Sequence, residues 1–93
     1  MSRDEDELIA RFIEPPPAGG EPADARVVDA GVHVWALVGY WLAADKDIDR
    51  TAADYDVPPA AVEAAIAYYR AGPNKDAIDA RLALHAASFA MAG

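Results

Sequence analysis

Residues 49 to 69, DRTAADYDVPPAAVEAAIAYY, carry the spacing of two helices joined by a tight turn. Ala52 is the small residue at which two helices cross closely. Tyr55 and Val57 flank the turn, and Val62, Ala65 and Ile66 form the inward face of the second helix. Asp56 stands at the turn position that usually adopts a left-handed conformation, which Asp tolerates better than most residues. Pro58 and Pro59 open the second helix, where a missing N–H costs little. This is the pattern of a helix-turn-helix. Its charge is wrong for DNA, because the same stretch holds Asp49, Asp54, Asp56 and Glu63 against Arg50 alone. A helix that reads DNA needs Lys and Arg to displace counterions from phosphates. The helix from Pro59 to Arg70 offers a single Arg at its far end, so the surface favours a protein partner.

The rest of the chain agrees. Sixteen Asp and Glu against eight Lys and Arg leave a formal net charge of −8 and a pI near 4.4. Such a balance disfavours nucleic acid and anionic membranes and suits a basic partner. Ninety-three residues suffice for one core. Alanine fills about a quarter of them, which favours helix. Cysteine is absent, which excludes a disulfide framework and thiolate chemistry. No signal-peptide pattern opens the sequence, and the apolar run Val32 to Ala44 is interrupted by His33 and too short for a bilayer. The expectation is a cytoplasmic protein with no membrane span.

Outward from the central motif, Ser2 to Glu5 fits a capping box, and Leu8, Ile9, Phe12 and Ile13 repeat at helical spacing until Pro15. The pattern predicts a helix over 3–14, an acidic arm with one apolar stripe. Pro15 to Pro22 read as a stiff-then-loose linker within residues 15–25. Arg26 to Val28 and Val32 to Val34 flank Asp29-Ala30-Gly31, which predicts a small hairpin or two edge strands. Two short strands alone are marginal, so pairing with another chain, and hence a homodimer, is expected. Val34, Leu37, Val38, Trp41 and Leu42 define a helix ending near Ala44, with Trp35 and Tyr40 off its stripe. Gly72-Pro73 ends the helix that begins at Pro59. Asn74 is positioned to cap a last helix whose stripe is Ile78, Leu82, His85 and Phe89. The predicted fold is mainly α. A small helix-turn-helix core of the homeodomain-like or winged-helix-like kind (26–71) carries a short β-hairpin or edge strands and helical extensions at 1–14 and 72–93.

Gly31-Val-His-Val-Trp-Ala-Leu37, Ala53-Asp-Tyr-Asp-Val-Pro58 and Val62-Glu-Ala-Ala-Ile-Ala-Tyr-Tyr69 together resemble the domain-of-unknown-function 433 family over residues 25 to 70. Members of that family are small helix-turn-helix proteins, many regarded as VapB-type antitoxins and encoded beside a toxin with a PIN-like ribonuclease fold. The resemblance implies a toxin-binding role. Where the family commonly has Gly-Thr-Arg, this chain has Gly31-Val32-His33.

Other constellations have plainer explanations. Asp45, Asp47, Asp49 and Asp56 imitate positions 1, 3, 5 and 12 of a calcium loop. Position 6 is Arg50 instead of Gly, though, and position 12 lacks a bidentate Glu. A solvated acidic turn is the simpler reading, and no metal site is assigned. His33 and His85 have no Cys, Ser or second His at a ligand or catalytic spacing. No phosphate-binding, dinucleotide or nucleophile-elbow motif occurs. No catalytic residue and no cofactor are expected. Trp35 either sits in an interface or caps the local core. Tyr69 continues the stripe of its helix and Tyr68 flanks it.

The residues expected to bind a partner are Phe12, Trp35, Tyr68, Leu82, His85 and Phe89. Asp4, Glu5, Asp6, Glu7, Asp45 and Asp47 would steer a basic ribonuclease-type toxin toward them. The helix-turn-helix core is assigned to Ala52, Tyr55, Val57, Val62, Ala65 and Ile66. The alternatives are a dimeric DNA-binding repressor, although weak DNA binding at most is expected, and a helix-turn-helix used only for homodimerisation.

Overall fold

Apart from Glu63 and Arg70 the second helix of the central motif is apolar, and such a helix is stable only when most of its surface is covered. The computed structural model describes the backbone of residues 3–92 and the side chains of residues 4–86. It contains α1 (Arg3–Phe12), β1 (Ile13–Glu14), a 3-10 turn (Pro22–Asp24), β2 (Arg26–Val27), α2 (Val34–Ala43), α3 (Ile48–Tyr55), α4 (Pro59–Arg70) and α5 (Asn74–Ala92). The fold is mainly helical with one small antiparallel sheet. Five of the twelve residues of α4 are Ala, whose small side chains let neighbours approach closely. α1, α2, α3, α5 and β1 all pack on it. Ala61, Val62, Ala64, Ala65, Ile66, Ala67 and Tyr69 are buried, so α4 is the axle of the molecule.

α3 and α4 are joined by the tight turn that the central motif predicts. Asp56 is left-handed, with φ 55° and ψ 48°. The Val57 N–H donates to Ala52 O at 3.0 Å and the Asp56 N–H to Ala53 O at 3.3 Å, the paired closure of a helix that ends in a left-handed residue. Asp47 begins α3. Its Oδ1 accepts the Arg50 N–H at 3.0 Å, and its carbonyl accepts the buried Thr51 hydroxyl at 2.8 Å. Asp47→Ala should therefore cost about 1 kcal/mol and lower the melting temperature by about 4–8 °C. An unchanged melting curve would show that the cap is dispensable.

The N-terminal segment differs from its expectation. The helix stops at Phe12, not Glu14, because Ile13 and Glu14 enter a strand opposite Val27 and Arg26. Proline at 15 already favours extended backbone at Glu14. Burial of Ile13, 5 % exposed, accounts for the second extended residue. The strand partner also differs: β2 pairs with β1, and the Asp29-Ala30-Gly31 turn returns only as an isolated bridge between Arg26 and His33. The strands that were expected to need another chain are thus paired within this one. α1 lies on α4 with Leu8, Ile9 and Phe12 against the core, so it is a wall of the fold.

Half of the linker is structural as well. Ala23 and Ala25 are buried. The Tyr68 hydroxyl donates to Pro22 O at 2.9 Å, and Arg81 on α5 reaches Asp24 at 3.1 Å and Glu21 at 3.3 Å. The Glu21 N–H and then Arg81 hold the Asp24 carboxyl below its usual range. Asn74 differs too: its side-chain amide donates to Tyr68 O at 3.0 Å, closing the end of α4 instead of capping α5. Leu42, placed on the inward stripe of α2 by its spacing, is exposed, because α2 ends one residue later. Ser2 lies outside the described residues.

Candidate functional site

α2 presents one face to the core and a second, aromatic face to a surface groove. Val34, Leu37, Val38 and Trp41 are buried on the first. Trp35 and Tyr40, off that stripe, line the second together with Tyr55 from the end of α3 and Leu82 and His85 from α5. The groove encloses about 410 Å³. Gly39 also lines it. A Cβ there would stand 2.7 Å from Leu82 Cδ2, the far end of a flexible side chain, so Leu82 occupies the space that a side chain at this position would fill.

The rings are held by one another. Trp35 and His85 have centroids 5.2 Å apart at 54°. Tyr40 and Tyr55 meet edge to face at 5.5 Å and 87°, an arrangement that suits the ring quadrupoles. The Tyr40 hydroxyl donates to Asp54 Oδ2, and the Tyr55 hydroxyl reaches Ala36 O at 3.5 Å. A carboxylate is thereby fixed beside an aromatic wall.

Four cations among the described residues lie over other rings. Arg11 covers Phe12, Lys46 and Arg70 lie over Trp41, and Lys75 lies over Tyr69. Lys75 also pairs with Asp79 at 2.7 Å, and Lys75 and the Tyr69 hydroxyl hold that carboxyl below its usual range. Burial, chiefly, pushes the Tyr69 hydroxyl up. Among the described residues, Trp35, Tyr40 and Tyr55 have no Lys or Arg over their rings, and no Lys or Arg lines the groove.

The partner-binding expectations divide accordingly. Trp35, Leu82 and His85 come together in the groove. Phe12 is half-buried against the core and borders a different cavity, of about 340 Å³, beside Asp29, Asp56 and Val57. Tyr68 is half-buried and holds the linker. The side chain of Phe89 lies outside the described residues. His85 is exposed, as are Ala83, Leu84 and Ala86, so it is a surface residue that packs on Trp35 in the groove and not a core residue. Of the helix-turn-helix residues, Ala52, Val57, Val62, Ala65 and Ile66 are buried, whereas Tyr55 is half-buried and shared with the groove. Sequence reasoning did not assign Gly39, Tyr40 or Asp54 to a site. The off-stripe position of Tyr40 was the available signal for one of them. Asp47, expected to steer a partner, spends its carboxylate on the start of α3.

No helix among the described residues is long and apolar enough to cross a membrane. Comparisons of the chain with family models, curated proteins and solved structures return no match.

Proposed function

We propose that this chain is an antitoxin-like protein-binding module that neutralises a basic ribonuclease-type toxin. The observation that carries the protein-binding part is the burial of α4. A helix enters the major groove with a row of exposed donors. Here the helix in that position is surrounded by four others, and Pro59, Glu63 and Arg70 are its exposed residues. Glu63 repels phosphate. The net charge of −8 supports a basic partner, and the resemblance over residues 25 to 70 supports a toxin of the PIN-like ribonuclease kind.

Co-expression with the product of the adjacent gene tests the proposal. A stoichiometric complex in which ribonuclease activity is suppressed is expected. Failure of the two proteins to co-purify would remove the toxin assignment. Charge in such a complex governs encounter more than lifetime. Asp4 and Asp6 are exposed on α1. Replacing both with Asn should slow association about two- to tenfold at low salt and flatten its salt dependence, with little change in dissociation. A change confined to dissociation would place α1 inside the contact instead.

A further inference from the structure

We propose that the groove between α2, α3 and α5 receives an arginine side chain of the partner; the assignment of that arginine to a partner protein rests on the protein-binding reading above. The groove is lined by aromatic rings, one of which is hydrogen-bonded to a carboxylate, and among the described residues no Lys or Arg lines it. Three aromatic rings, Trp35, Tyr40 and Tyr55, line it, and aromatic faces attract cations through their quadrupoles. Asp54 does not line the groove itself but accepts the hydroxyl of Tyr40, which does, through Oδ2, so a carboxylate stands next to the aromatic wall with Oδ1 as its second acceptor. Elsewhere the chain places its own Lys and Arg over Phe12, Trp41 and Tyr69. The rings of the groove pack on His33, His85 and one another, and among the described residues no Lys or Arg lies over them.

Arginine fits this chemistry better than lysine. A guanidinium is planar, weakly hydrated and able to stack on a ring while donating in its plane to a carboxylate. An ammonium is a compact, strongly hydrated charge and cannot stack. Gly39 and Leu82, which also line the groove, suit the methylene stem of such a side chain. A second copy of this chain is a poorer occupant, since it brings another −8 charge toward Asp54.

The test is a titration of the intact 15N-labelled chain with the capped peptide acetyl-Ala-Arg-Ala-amide, compared with its citrulline counterpart, which keeps the shape and loses the charge. The Trp35 indole resonance is assigned with Trp35→Phe. The arginine peptide should move that resonance saturably at millimolar concentration, with the citrulline peptide about tenfold weaker, the factor expected for a partly desolvated cation on a ring. Asp54→Asn should weaken the arginine peptide several-fold and leave the citrulline peptide unchanged. The proposal is overturned by an unmoved Trp35 resonance, by equal binding of the two peptides, or by concentration-dependent Trp35 shifts without peptide, which would assign the groove to a second copy. The two readings fail separately. If a toxin complex forms and neither Trp35→Ala nor Asp54→Asn alters its affinity, the groove assignment is wrong and the protein-binding reading stands. If the peptide binds as expected and no toxin complex forms, the groove assignment stands and the toxin reading is wrong.

Discussion

Replacing Ala52 with Glu should leave the chain without a cooperative unfolding transition. Ala52 is 4 % exposed and lies in α3, which packs against α4 and α2. Among the described residues, no Lys or Arg is buried there to meet a carboxylate. An ion moved into such a site without a partner costs several kcal/mol even after relaxation, and the larger side chain adds overpacking of about 1–3 kcal/mol. The whole domain is stabilised by roughly 5–14 kcal/mol if it resembles other chains of its length. Circular dichroism should show lost helicity and a flat thermal profile. A soluble variant with wild-type helicity and a sharp melting transition would mean that α3 and α4 do not meet at Ala52.

Deleting residues 1–14 should be nearly as damaging. A detachable arm would leave the remaining fold intact. In the structure, Leu8, Ile9 and Phe12 pack against the core and Ile13 is buried within it. Fully burying a side chain of this size contributes about 1.5–3 kcal/mol, so four that are partly or fully buried contribute an amount comparable with the total stability. The deletion also removes β1 and leaves β2 only its bridge to His33. The truncated chain should expose apolar surface, bind a hydrophobic dye and unfold at a much lower temperature. A truncated form that melts like the intact chain would mean that residues 1–14 are a separable arm.

These two predictions differ in how far they were legible in the sequence. The α3–α4 turn was legible because each of its requirements is local: a small residue at 52, a left-handed Asp at 56, prolines at 58 and 59, and apolar residues at 62, 65 and 66. The docking of α1 was not, because an apolar stripe states that a helix must be covered without stating by what. Alanine adds to the difficulty. Ala64 and Ala67 are buried, yet Ala is equally at home exposed, so their burial depends on which neighbours arrive. The strand pairing escaped for a related reason: two-residue strands are too short to show alternation, and the choice of β1 over Val32-His33 was made by the burial of Ile13. In the groove, Trp35 and Tyr40 were legible as aromatics off the inward stripe. The Tyr40–Asp54 pair, fourteen residues apart, and the contact of Leu82 with Gly39 depend on how three helices come together, which periodicity within one helix does not contain.

The central claim is that the helix-turn-helix serves as the scaffold of a protein-binding domain, with α4 as its covered axle. It is tested most directly by titrating the intact chain, without a partner, against a duplex carrying its own promoter at physiological salt and following electrophoretic mobility beside a scrambled duplex. The account predicts no retardation of either duplex at concentrations where DNA-reading proteins of this size are saturated, roughly 10⁻⁸ M and above. Tight retardation of the promoter and not of the scrambled duplex would contradict it, since α4 would then have to leave the core to be read against DNA.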